Sequence, residues 1–142
     1  MTTLTWVLAI TDAECDAYLA ESNLGRLGVI VDGKPEIFPV NHVFDRENRC
    51  VAFPTNAMTK LHAALSWPYV AFEIDAMNSA EASGWSVLVV GRAEEIDDAA
   101  EISRLSAQRT AVWRSDERVH WIRIVPEKIT GRRIFGPDRA RS

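Results

Sequence analysis

Residues Glu36 to Asp45, EIFPVNHVFD, form an extended run with two apolar faces. At a period of two, Phe38, Val40, His42 and Phe44 share one face, and Ile37, Pro39, Asn41 and Val43 share the other. Neither face suits bulk water, so the strand must be covered twice. One side can face a barrel interior, and the other a partner or a flat ligand. Pro39 cannot donate to a ladder, which puts a sheet edge or a bulge at that point.

The flanking chain fixes the context of this strand. Arg26 to Val31 is rich in branched residues and ends at Asp32-Gly33, a hairpin turn signal. Arg46 to Asn48 turn the chain again, and Cys50 to Pro54 return it. Pro68 restarts an extended segment, Tyr69 to Asp75, and Ala76 to Ser83 reads as a polar loop. Gly84 to Ile96 is a long strand in which Gly91 marks a bulge or a sharp bend. Val119 to Val125 alternates, and Ile129 to Phe135 is a further strand or an extended tail. Six or seven strands joined by short turns predict a mainly antiparallel sheet, and bent strands with two apolar faces predict a closed barrel.

Three helices are predicted. Thr11 to Glu14 fits a capping box that opens a short helix to about Ser22. Asp97, Asp98 and Glu101 open another that runs to about Arg109. Both put acid at the N-terminal end, where the helix dipole is positive. The helix that begins near Ala57 does not. Its first turn holds Met58, Thr59 and Lys60 and no carboxylate, with Thr55 or Asn56 as the N-cap. Free N–H groups, two threonine hydroxyls and a lysine suit a bound phosphate. The other reading is a solvated Lys60 whose stem lies on the surface, and chemistry alone favours it.

Composition narrows the classes. The 142 residues predict one domain spanning 1–142, with 47% apolar and 25% charged residues. A net charge of −4 argues against a general nucleic-acid binder. The basic cluster Arg132, Arg133, Arg139 and Arg141 lies near the end of the chain. Two cysteines, Cys15 and Cys50, make no disulfide framework, so reduced thiols in a cytoplasm are expected. There is no basic n-region with a signal core, and no apolar run of membrane-spanning length. No GxGxxG, GxxxxGK[ST], HExxH, CxxC or GxSxG motif occurs. His42, His62 and His120 with Cys50 lack the spacing of a zinc site, and no metal is expected. Glu73 and Asp75 point the same way on one strand, as acid–base machinery or as a solvated face. Five tryptophans predict core or dimer contacts, with Trp85, between Gly84 and Ser86, nearest a ligand.

Four ordered stretches, LGRLGVIVDGKPEIFPVNHVFD, VAFPTNAMTKLHAAL, VAFEIDAMNSAEASGWSVLVVGRAEEI and VPEKITGRRI, cover most of residues 24 to 135. Taken together they resemble the flavin-binding split-barrel proteins, specifically the small pyridoxamine 5′-phosphate oxidase-like group that includes proteins linked to nitroimidazole reduction. The resemblance implies a six-stranded antiparallel split barrel of Greek-key type with flanking helices. It implies a homodimer with two FMN sites at the subunit interface and a small-molecule substrate. Carried over, Val40, Asn41 and His42 lie along the flavin ring, and Thr55, Thr59 and Lys60 hold the phosphate, which turns the balance at Lys60 towards phosphate. Trp85 and Ser86 approach the ring, and Arg132 contacts a phosphate or the interface. His42 stands where tyrosine is common in the group. The C-terminal tryptophan and arginine signature of the true oxidases is missing from FGPDRARS, so vitamin oxidation is not expected. An FMN-dependent oxidoreductase is the first expectation. A non-catalytic cofactor-binding module, and a split barrel holding a deazaflavin or haem with His42 or His120 as axial ligand, are the alternatives.

Overall fold

The two-residue turn at Asp32-Gly33 takes positive φ at both positions, 52° and 77°, the geometry that matches the twist of a tight hairpin. It joins β2 (Leu24–Val31) to β3 (Lys34–Asn41) in the computed structural model, which describes residues 6–56, 58–109 and 119–136. The other strands are β1 (Trp6–Ala9), β4 (Val43–Asp45), β5 (Cys50–Thr55), β6 (Tyr69–Asn78), β7 (Ser83–Ile96) and β8 (His120–Phe135). The helices are α1 (Asp12–Glu21), α2 (Met58–Ser66) and α3 (Ala99–Ser106).

All ladders are antiparallel, and the sheet order is β3-β2-β6-β7-β8-β5-β4, with β1 added beside β8. The two ends of this order, β3 and β4, are consecutive in the chain and separated only by His42. An open flat sheet cannot satisfy that connection, so the sheet curls until its edges meet. No ladder joins β3 to β4 among the described residues. The result is a split barrel, mainly β, with helices at its ends and side. The single strand expected over Glu36 to Asp45 is therefore two. The chain crosses the seam at His42, whose N–H bonds to the Asn23 carbonyl at 3.1 Å instead of a neighbouring strand. Eight strands replace the expected six or seven: β4 separates here, β1 pairs with the far end of β8, and the segments expected over Val119 to Val125 and Ile129 to Phe135 run together as the single strand β8. Pro39 does lie on an edge strand, as its missing N–H requires.

Gly91 lies where the β7–β8 register slips between Val90↔Lys128 and Gly91↔Pro126. The bulge lets the two longest strands bend around the core. The barrel interior is built from residues such as Leu27, Phe53, Phe72, Val87 and Ile122. Cys15 and Leu19 of α1 close one side, and Leu61, Ala63 and Ala64 of α2 close another. A second cluster, Val43, Ala52, Ile96, Leu105 and Trp121, lies under α3. Two bonds of 3.1 and 2.9 Å from Arg104 grip the buried Asp45 carboxylate, and with Asn48 they hold its pKa down to about 2. The loop expected over Ala76 to Ser83 shrinks to a turn at 79–82, because β6 and β7 pair as far as Asn78↔Ser83. α1 carries the predicted capping box, and Asp98 caps α3. No helix is long and apolar enough to cross a membrane among the described residues.

Candidate functional site

The end of β5 and the start of α2 form one corner of the barrel. Thr55 is buried at 4% exposure and lies opposite His120. α2 begins at Met58 with no acid in its first turn, unlike α1 with Asp12 and Glu14 and α3 with Glu101. Thr59 is exposed beside it, while Leu61 and Ala64 turn into the core. Lys60 lies in this first turn; its side chain, like Ala57, falls outside the described residues. His120 Nδ1 lies 3.0 Å from Glu95 Oε2 near the same corner, a pairing the sequence did not reveal.

The β3 strand supplies a second group. Val40 is buried against the interior, and Asn41 is half-buried with Oδ1 lacking a hydrogen-bond partner within the chain. His42 is 3% exposed. Its Nε2–H donates to the Leu19 carbonyl at 3.1 Å, which assigns the proton to Nε2 and leaves Nδ1 as a buried acceptor without a partner. Phe72 packs edge-on against the ring at 4.8 Å. Burial pushes the imidazole pKa down to about 4, so the ring is neutral at pH 7. The side chain of His42 is committed to the barrel interior.

Register sorts the remaining residues by face, since directly opposed residues share a side of the sheet. Asn41 lies opposite Leu24, Pro39 opposite Arg26, and Ile37 opposite Gly28. The same face continues through Glu73 and Leu88 and through Asp75, Ser86 and Arg132. Asn41, Ser86 and Arg132 therefore share the outer face, while Val40 and Trp85 point inwards. The outer face carries Leu24 and Ile37 at 59% and 70% exposure. Arg26 lies at its centre, 2.9 Å from both Glu73 and Asp75. Burial and the neighbouring Asp75 raise the Glu73 pKa, against the pull of Arg26. The two carboxylates thus share one cation across the strands.

Trp85 stacks on Tyr18 of α1, with ring centroids 3.9 Å apart. Arg133, not Arg132, secures this corner, donating to the Tyr18 hydroxyl at 2.9 Å and to Glu14 at 3.2 Å. Ser86 and Arg132 are cross-strand neighbours, whereas Thr55 and Thr59 lie at the other end of β7. From the level of Ser86 to that of Ile96, β7 covers about 30 Å at the usual strand rise. One chain does not bring the two groups into one cavity. Arg139 and Arg141 lie outside the described residues, and no cluster of three metal-ligating side chains occurs within them.

A family model described as pyridoxamine 5′-phosphate oxidase matches residues 11–133. The chain belongs to this family. A relative, an uncharacterized protein of Mycobacterium tuberculosis, is 37% identical over 97 residues, covering 68% of this chain and 86% of its own length. Among solved structures, an FAD-binding protein of Mycobacterium smegmatis is similar with a TM-score of 0.73 and 35% identity, over 89% of this chain and 97% of that one. A protein described as a 5-nitroimidazole antibiotic resistance protein, from Bacteroides thetaiotaomicron, shares the fold with a TM-score of 0.72. Its identity is 13%, over 94% of this chain and 93% of the other. The family's split barrel is thus the fold found here.

Proposed function

We propose that the chain binds a flavin at the interface of a homodimer and serves as a flavin-dependent oxidoreductase for a small molecule. The observation that carries this reading is the start of α2: acid-free, with Thr59 exposed and Thr55 beside it, in a chain 35% identical to a protein described as FAD-binding. The donor set suits a flavin. Thr55, Thr59 and Lys60 would take the phosphate, from N–H groups, hydroxyls and a cation. The outer face beside Asn41 carries the exposed apolar side chains Leu24 and Ile37, against which a flavin ring could lie. Ser86 and Arg132, on the same face but at the far end of the sheet, would come from the second subunit. Val40, His42 and Trp85 would act from inside, holding β3 and β7 in place.

This needs FMN, or the FMN half of a larger flavin. Bound flavin supplies hydride transfer at N5, while the protein supplies orientation and electrostatics. Haem is a weaker fit, since His42 is bonded to Leu19 and almost wholly buried, which leaves His120 of the two axial ligands expected from the sequence, and its ring is paired with Glu95. A deazaflavin would use the same flat face and is separated from a flavin by competition.

The test is a visible spectrum of the purified protein after free flavin has been removed by gel filtration. A flavin spectrum at dimer size is expected, and a colourless protein that ignores added flavin would refute the reading. In Lys60→Ala, flavin affinity should drop at least about tenfold, since a charged hydrogen bond contributes about 1.5–3 kcal/mol. Unchanged affinity would remove Lys60 from the phosphate site. Reduced cofactor that no acceptor reoxidises would favour a binding module without turnover.

A further inference from the structure

The β6–β7 hairpin carries a pocket on the side of the sheet away from the proposed flavin face. Register puts Ala76, Trp85 and Arg133 in one cross-strand row and Asn78, Ser83 and Phe135 in the next. Opposed residues share a side of the sheet, so both rows lie on the side that Trp85 presents to α1. Ser86 and Arg132 lie on the other. Tyr18 closes one end of the pocket by stacking on Trp85. The space is about 420 Å³, within the range of small-molecule sites.

Its walls are aromatic, and its polar groups are donors. Arg133 spends only Nη2, on the Tyr18 hydroxyl and Glu14, and these two bonds fix the guanidinium. Among the described residues, its Nε and Nη1 donate to no acceptor. Asn78 Oδ1 accepts the Glu81 N–H at 3.2 Å, which orients the amide and leaves its NH2 group to donate. Ser83 adds a hydroxyl from the facing strand. Arg133 is the one cation lining the pocket among the described residues, and Glu81 is the one acid, exposed in the turn. A single planar cation with two neutral donors matches one carboxylate. A phosphate dianion would be left with a charge uncompensated.

We propose that this pocket binds a small aromatic carboxylate, at a site separate from the flavin. The carboxylate meets Arg133, Ser83 and Asn78, and the ring lies against Phe135 and the part of Trp85 that Tyr18 does not cover. The proposal does not depend on the flavin reading, since it uses the opposite side of the sheet.

The experiment is a calorimetric titration of the full-length protein, as purified, with benzoate. Saturable binding at one site per chain is expected, with a dissociation constant below about 1 mM, modest for so small a ligand. Cyclohexanecarboxylate and benzyl alcohol, which lack the ring and the charge respectively, should each bind more weakly. Arg133→Gln should weaken benzoate at least about tenfold. Arg133 also braces α1, so Ser83→Ala, which removes one hydroxyl from a half-buried position, serves as the second variant and should weaken it about threefold. Glu81→Gln should instead tighten it about twofold, by removing a like charge at the rim. Absence of saturable benzoate binding would overturn the proposal. So would affinity unchanged in both Arg133→Gln and Ser83→Ala, or equal binding of either analogue. Displacement of bound flavin by benzoate would show that the two sites are not separate, and would overturn it as well.

Discussion

His42 is the residue at which sequence and surroundings diverge most. It occupies the one position between β3 and β4, and its ring fills the seam of the barrel with Nδ1 unpartnered. The native state holds it neutral, with a pKa of about 4 against an ordinary 6.5, because burial disfavours the charged imidazole. The unfolded chain therefore binds more protons than the native one between about pH 6.5 and 4, and stability falls as pH drops through that window. The loss amounts to about 3 kcal/mol by pH 4. Denaturant melts of wild type and His42→Gln at pH 7 and pH 4 isolate it. Wild type is expected to be the more stable at pH 7, and the difference should shrink by about 3 kcal/mol at pH 4. A difference that does not change with pH would show that another group titrates. The sequence marked His42 as lying on an apolar face, but nothing local revealed that its partner would be Leu19 of α1.

Among the elements, β7 and β8 carry the curvature, and Gly91 sets where they bend. A Cβ there would lie 2.8 Å from Pro126 Cα and closer still to the Val125 carbonyl oxygen. Both are backbone atoms of β8, so no rotamer relieves the clash and the strands must part. Gly91→Ala is expected to cost about 3 kcal/mol, at the upper end for an overpacked site, read as a lower denaturation midpoint. A variant within about 0.5 kcal/mol of wild type would mean that the bend is set elsewhere. This bulge was legible, as were the Asp32-Gly33 hairpin and the Thr11–Glu14 capping box, because each depends on a few neighbouring residues. β1 was not. Its four residues are all exposed, and their partners Arg132 to Phe135 lie at the other end of the chain. The break between β3 and β4 was hidden for the same reason, since it follows from the β4–β5 and β5–β8 ladders. At the site, the missing acid of α2 was visible as a local rule broken. The grip of Arg133 on Tyr18 and Glu14 spans more than a hundred residues and left no local sign.

For the whole molecule, the placement of the candidate residues bears on assembly. Thr55 and Thr59 lie at one end of the sheet, and Ser86 and Arg132 at the other, about 30 Å along β7 at the strand rise. A ligand the size of FMN does not reach both within one chain. A two-fold partner seated on the outer face would bring the opposite end of its own sheet to the first chain's α2 corner. That face is suited to burial: Leu24, Ile37 and Leu88 surround small Gly28 and Ala71, and Arg26 already neutralises much of Glu73 and Asp75. Ile37, at 70% exposure on the edge strand, supports no interior contact, so an arginine there should leave the fold intact. On this reading, wild type sediments as a dimer that retains flavin. Ile37→Arg should sediment as a monomer with unchanged circular dichroism, and its flavin affinity should fall at least about tenfold, since an unpaired charge is costly to bury in an interface. If Ile37→Arg remains a dimer, the subunits meet on another face. If it is monomeric and still holds flavin tightly, the site is complete within one chain, and Ser86 and Arg132 do not belong to it.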